Sequence, residues 1–238
     1  MAMVILVRHG ETAYNREEVF RGRLDVPLND HGYTQARAAG RALARAGLVA
    51  VWSSPLDRAR ETARAIAEPH GLTVLVHDGL CDLDFGDWEG LPRGEVRDRY
   101  PDLYRRWVEA PQTVEFPGGE TLAGAASRAV AALNEIVAHI EAGATGGTGP
   151  APEPAVAVVS HRVICKLLIS AALGLGGEGF WRIGQDTACI NVLDWRLGAA
   201  GGGAAGEGAG AGFRATVARV NDTCHLGRPP GARGERDF

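Results

Sequence analysis

The feature that most constrains this chain is a short apolar run that stops at an arginine-histidine pair. Met3 to Val7 is too short and too β-branched for a helix and predicts a strand, after which Leu6 to Asn15 reads LVRHGETAYN. Arg8 and His9 therefore fall at a strand's carboxyl end, where open α/β sheets bind their ligands. Gly10 lets the backbone turn closely around a bound group, and Glu11, Thr12 and Asn15 add polar side chains to the loop. Arg8 offers a planar fork of donors matched to phosphate oxygens, and His9 offers a neutral imidazole nitrogen able to attack phosphorus. An isolated Arg-His pair would read as a capped strand before a polar loop; the longer string suits a doubly charged phosphate group.

Strand and helix alternate from there. Asn29 caps a predicted helix to about Ala46, Leu48 to Trp52 is a buried strand, and Ser54 with Pro55 opens a second helix, serine as N-cap and proline at the first helical position. Thr73 to Val76 predicts a third strand. Arg93 to Val108 is a polar helical segment that would form a small cap beside the sheet, around residues 91–118, and Thr121 to Ile140 is a long helix. Ala155 to Ser160 is an apolar strand, and Ile190 to Arg196 pairs with Phe213 to Val220 as a hairpin. Segments 143–154 and 198–212 offer little to bury and read as flexible loops. The pattern predicts an α/β fold: a three-layer α/β/α sandwich with a mainly parallel sheet and an antiparallel edge, all 238 residues in one domain.

Composition removes several classes of function. A net charge of -4 gives no reason to invoke nucleic acid or an acidic membrane surface as partner. The apolar stretch Val163 to Leu175 is interrupted by Lys166 and falls short of the ~20 residues a membrane span needs, so it reads as a buried helix. Cys81, Cys165, Cys189 and Cys224 are widely separated and lack zinc-site spacing; they read as reduced, mostly buried thiols, and no metal or cofactor is expected. The first residues enter a strand without the features of a signal peptide, and a soluble cytoplasmic protein is expected. Lys166 is the only lysine beside many arginines, a bias that suits bidentate phosphate contacts and also reflects the whole chain.

Phosphoryl transfer spreads charge over several oxygens, so one motif cannot make a site. The string SSPLDRARETA places Arg58 about one turn into a helix, leaning toward its N-terminus, unless Arg58 instead pairs with Glu61 or Glu11. Strand VAVVS ends at His161, again just before a helix. LCDLDFGDWEG, Leu80 to Gly90, carries Asp82, Asp84 and Glu89, and FRGRLDVPLNDHG carries Arg21 and Gly22.

The four motifs at Arg8-His9, Arg58, Asp82 and His161, in that chain order, resemble the histidine phosphatase superfamily, the phosphoglycerate-mutase-like proteins, over Met3 to about Leu226. The resemblance implies a phosphohistidine formed on His9, with Arg8, Asn15, Arg58 and His161 around the phosphoryl group. It puts Asp82 at the general acid's position, where glutamate is commoner, with Asp84 and Glu89 as competitors. It also makes the Gly22 loop a substrate cover. Arg21 stands where a smaller polar residue is usual and Arg162 where glycine is usual; each either meets a second anionic group or pairs with Glu11, Asp25 or Asp186, and Arg21 reads equally as a solvated side chain. His31, His70, His77 and His139 read as surface residues without partners, and His225 receives no role. The implied activity is hydrolysis of a small phosphomonoester without a metal. A phosphoglycerate mutase is the alternative, although the short stretch with FPGGET between Gly90 and Glu120 is more like the phosphatase branches; a silent phosphate-binding regulatory module is the other. Phosphoserine, a sugar phosphate, a phosphoglycerate or an α-ribazole phosphate would each present the same group. Oligomeric state is left open.

Overall fold

The structure, a computed structural model, describes residues 2–143, 153–198 and 212–227. Among the described residues six strands form one sheet: β1 (Ala2–Arg8), β2 (Leu48–Ser53), β3 (Val74–Val76), β4 (Ala155–Ser160), β5 (Ile190–Leu197) and β6 (Phe213–Asp222). Their order is β3-β2-β4-β1-β5-β6, parallel from β3 to β1, with β5 and β6 added antiparallel. The helices are α1 (Ala13–Arg16), α2 (Asp30–Leu43), α3 (Asp57–Ala67), α4 (Arg93–Arg99), α5 (Pro101–Glu109), α6 (Leu122–Gly143) and α7 (Arg162–Ala172).

The apolar runs of β1 and β4 are continuous because both faces of the sheet are covered. Val4, Leu6, Val156 and Val158 point to the side of α6 and α7, while Ile5, Val7, Ala157 and Val159 point to α2 and α3. Burying each such aliphatic side chain contributes about 1.5–3 kcal/mol. The expected three-layer α/β/α sandwich with an antiparallel edge is the architecture found. Among the described residues, no helix is long and apolar enough to cross a membrane.

Local chemistry moves some boundaries. Asn29 caps α2 by accepting from Gly32 N at 2.8 Å. The helix expected to start at Ser54 and Pro55 begins instead at Asp57, with Leu56 as an extended N-cap, so Arg58 is its second residue rather than a turn inside. The polar segment 93–108 is two helices broken at Tyr100, where Pro101 starts the second and removes the amide that would have continued the first. Of the two expected flexible loops, positions 144–152 and 199–211 lie outside the described residues.

Candidate active site

Strand register brings the two motif histidines together. Arg8 on β1 lies opposite Ser160 on β4, and His9 N donates to Ser160 O at 2.9 Å, so His9 and His161 leave adjacent parallel strands at the same level. Their ring centroids are 5.2 Å apart and both side chains are wholly buried. His9 Nδ1 lies 2.6 Å from Gly10 O. A carbonyl only accepts, so Nδ1 carries the proton and Nε2, which has no hydrogen-bond partner, keeps its lone pair. Gly10 itself is required by space: a Cβ there would sit 2.5 Å from Gly32 O on α2. Gly10 N donates to Thr62 Oγ1 at 3.1 Å, tying the loop to α3.

Arg58, fully buried at the start of α3, points back into the same space. Its Nη1 donates to Leu24 O at 2.8 Å and its Nη2 to Gly22 O at 2.7 Å, with Asp82 Oδ2 at 3.5 Å. Glu61 and Glu11, the alternative partners, are taken by Arg64 and Arg16. Gly22 holds a positive φ of 45°, and a Cβ there would run into Glu89 and Leu83 O. Arg8 is also buried, its Nη1 donating to Gln185 O at 2.6 Å. Asn15 is buried in the α1 turn, where its Oδ1 accepts from Thr12 N at 2.9 Å.

Of the three carboxylates weighed in the motif from Leu80 to Gly90, Asp82 is the one at the histidines. Its Oδ2 is 3.7 Å from His161 Nδ1, and its Oδ1 accepts from Leu83 N at 2.9 Å. Asp84 instead accepts from Gly86 N and faces Arg23, and Glu89 accepts from Arg23 N and Phe85 N, so both brace loops. Several supporting side chains escape sequence reasoning. Ser54, expected as a helix cap, has its Oγ 2.6 Å from His161 Nε2. Arg128 on α6 donates to Gly79 O, Cys81 O and Asp82 O at 2.7–3.0 Å and pairs with Glu120. The GGET string before α6 is the nearest sequence signal for that clamp.

Burial sets the protonation states. Desolvation, then the charges of Arg58, His161, Arg8 and Arg21, hold His9 well below the ordinary histidine value of 6.5. His161 is held low by burial and then by Arg58, Arg21, Arg128 and Arg8. A neutral His161 makes its 3.7 Å approach to Asp82 a polar contact rather than an ion pair. Burial raises Asp82, and the Arg58 and Arg21 charges oppose the shift without cancelling it. The site therefore pairs an uncharged imidazole with a carboxyl biased toward its acid form.

Beside Asp82 a small pocket of about 30 Å³ is lined by Arg21, Arg162, Trp107, Phe180 and Trp181 among others. Both arginines that depart from the family pattern thus face it. Of the carboxylates weighed as their partners, Glu11 meets Arg16 and Asn29, Asp25 accepts from Asp57 N, and Asp186 accepts from Asn221. Three of the four histidines read as surface residues without partners do have partners: His70 meets Leu43 O, His77 meets Glu135 and Gly79 N, and His139 stands edge-on to Trp52. All four cysteines are free; Cys165 and Cys189 are buried, Cys81 is partly buried and Cys224 is exposed.

This arrangement defines a class. The histidine phosphatase superfamily (branch 1) profile matches residues 4–200, and the chain belongs to that family. It is 34% identical over 227 residues to phosphoserine phosphatase 1 of Hydrogenobacter thermophilus, covering 95% of each chain. It is 32% identical to a glucosyl-3-phosphoglycerate phosphatase of Mycolicibacterium vanbaalenii, over 82% of this chain and 92% of that one. A solved mycobacterial glucosyl-3-phosphoglycerate phosphatase, complexed with VO3, superposes with a TM-score of 0.76 at 27% identity, covering 93% of this chain and 99% of the other.

Proposed function

We propose that this protein hydrolyses small phosphomonoesters without a metal, through a phosphohistidine on His9. The observation that carries the reading is the unpartnered Nε2 of a buried, neutral His9 beside His161, within reach of the Arg58 charge, with Asp82 against His161. In the first step Nε2 attacks phosphorus in line, the P–N bond forms and the ester P–O bond breaks. Asp82 gives its proton to the departing alkoxide. In the second step the Asp82 carboxylate takes a proton from water as its oxygen attacks phosphorus, the P–N bond breaks, and inorganic phosphate leaves. His9 and Asp82 are then back in their starting states.

Arg8, Arg58, Asn15 and His161 hold the phosphoryl oxygens while charge shifts between attacking and leaving groups. These donors take the electrostatic role that a divalent ion plays in other phosphatases. The relatives' names point to small phosphorylated metabolites as substrates, and the free thiols fit a reducing, cytoplasmic setting. Acid-labile, base-stable phosphate trapped on His9 by rapid quenching, with turnover that survives EDTA, is the expected result. Label on another residue, loss on chelation with rescue by a divalent ion, or isomerised ester in place of free phosphate would refute the scheme.

A further inference from the structure

Each imidazole of the reacting centre is held by one nitrogen and bare at the other, but the holding partners differ in kind. His9 Nδ1 meets the carbonyl of Gly10, which only accepts, so Nε2 keeps its lone pair. His161 Nε2 meets the hydroxyl of Ser54 at 2.6 Å, and a hydroxyl can donate or accept. His161 Nδ1, buried and without a hydrogen-bond partner, stands 3.7 Å from Asp82 Oδ2. Which nitrogen of His161 carries the proton therefore depends on the direction of the serine bond.

The surroundings of Ser54 fix that direction. Ser54 is wholly buried, on the extended stretch between β2 and α3. Its amide donates to Val159 O at 3.0 Å and its carbonyl accepts from Ser53 Oγ at 2.8 Å, which ties it to β4 two residues before His161. Its Oγ already accepts from the Leu56 amide at 3.4 Å. Were Nε2 also to donate to Oγ, the hydroxyl proton would be buried with no acceptor among the described residues, a costly state for a polar group. Donation from Oγ to Nε2 satisfies both groups and leaves the ring proton on Nδ1.

We propose that Ser54 is a positioning residue that holds His161 in its Nδ1–H form, so that this imidazole presents a proton to the phosphoryl site while His9 presents a lone pair. The use of that proton rests on the hydrolase reading above. Phosphoryl oxygens only accept, so a neutral His161 can hold one only through an N–H. An N–H beside Asp82 also denies the carboxyl proton a basic nitrogen to move to, which reserves it for the departing alkoxide. The groups facing His161 are Asp82, His9 with ring centroids 5.2 Å apart, Arg58 from α3, Arg21 from the Gly22 loop, Arg128 from α6 and Arg8 from β1. Burial, and then the four guanidinium charges, keep a second proton off the ring, so the place of the single proton decides what His161 presents.

The test reads the ring 15N shifts of the full chain, with the His161 signals assigned by their loss in His161→Gln. At pH 7, Nδ1 should show the shift of a protonated nitrogen and Nε2 that of a bare one; the reverse overturns the proposal without any further variant. Ser54→Ala should mix the two forms, and should lower kcat/KM for an alkyl phosphate and affinity for inorganic phosphate by about tenfold, less than the loss of a whole preset donor. Unmixed shifts in Ser54→Ala overturn the proposal. The deficit of Ser54→Ala relative to the parent should close as pH falls through the titration of His161, because an imidazolium carries both protons and needs no serine. Taking the ratio at each pH removes the loss from His9 protonation, which both proteins share. A deficit constant with pH would make Ser54 a support of the fold and overturn the role. Serine-dependent phosphate binding with the expected shifts but no ester hydrolysed would sink the hydrolase reading alone. Hydrolysis through a phosphohistidine with Nε2 of His161 protonated would sink the serine proposal alone.

Discussion

The reacting centre and the pocket beside it are built by different means. His9, Arg58 and His161 are wholly buried and stand at the ends of paired strands or in the first turn of α3, so backbone hydrogen bonds of the sheet set their positions. The pocket walls come from the loop at Arg21, from α5 at Trp107, from α7 at Arg162 and from the turn at Phe180 and Trp181, held together by ring packing. The difference teaches where substrate choice resides. Loops and turns can change without moving the strand ends, which lets one phosphoryl centre serve different alcohols.

The largest effect that would break this division is on Asp82, which belongs to both regions. Asp82→Asn should slow hydrolysis of an alkyl phosphate about a hundredfold or more, the usual scale for positioned acid catalysis, and an aryl phosphate less because its leaving group needs little protonation. Steady-state rates on the two ester types decide it. Equal losses would show that the carboxyl does not serve the leaving group.

A smaller effect is expected at Arg128, whose guanidinium grips the carbonyls of Gly79, Cys81 and Asp82 from the far side of the segment. Arg128→Met should cost about tenfold on alkyl esters by letting the carboxyl drift, and little on aryl esters. Because the two residues act as one unit, the Asp82→Asn, Arg128→Met double variant should be hardly slower than Asp82→Asn on the alkyl ester. Additive losses would reduce Arg128 to a support of the fold.

The smallest effect is a pH dependence that sets the two buried histidines against Asp82, the residue shared with the pocket. His9 and His161 are neutral in the fold at pH values where the unfolded chain already binds protons, so their contribution to stability is complete above 6.5 and declines as pH falls below it. Asp82, raised in the fold, has the opposite sign: its contribution is complete below 3.8 and lost as pH rises through its folded value. Urea midpoints should therefore fall between pH 7 and 5 and fall less in His9→Gln. The acid limb of kcat/KM should lie below pH 6.5. A limb at or above that value would mean the imidazole is solvated.

Much of the centre could be read before folding because each part sits beside an abrupt change in pattern. Apolar runs that stop at Arg8-His9 and at Ser160-His161 mark strand ends whatever the neighbouring chain does. The resemblance favours Asp82 over Asp84 and Glu89, but all three share one short polar string, and the fold decides which faces His161. Ser54 shows the reverse error: its sequence context fits a helix cap, yet the extended chain through Leu56 delivers its hydroxyl to His161.

By itself, then, the sequence determined the α/β alternation and the strand ends, because these depend on local propensity and periodicity, and its motifs resembled those of a phosphoryl-transfer family. Tertiary structure alone decided the 5.2 Å approach of the two histidines, the Arg128 clamp and the meeting of Arg21 and Arg162 with an aromatic wall. Those contacts join segments tens of residues apart, through strand register and ring packing, and burial then fixes the protonation states that isolated side chains would not hold.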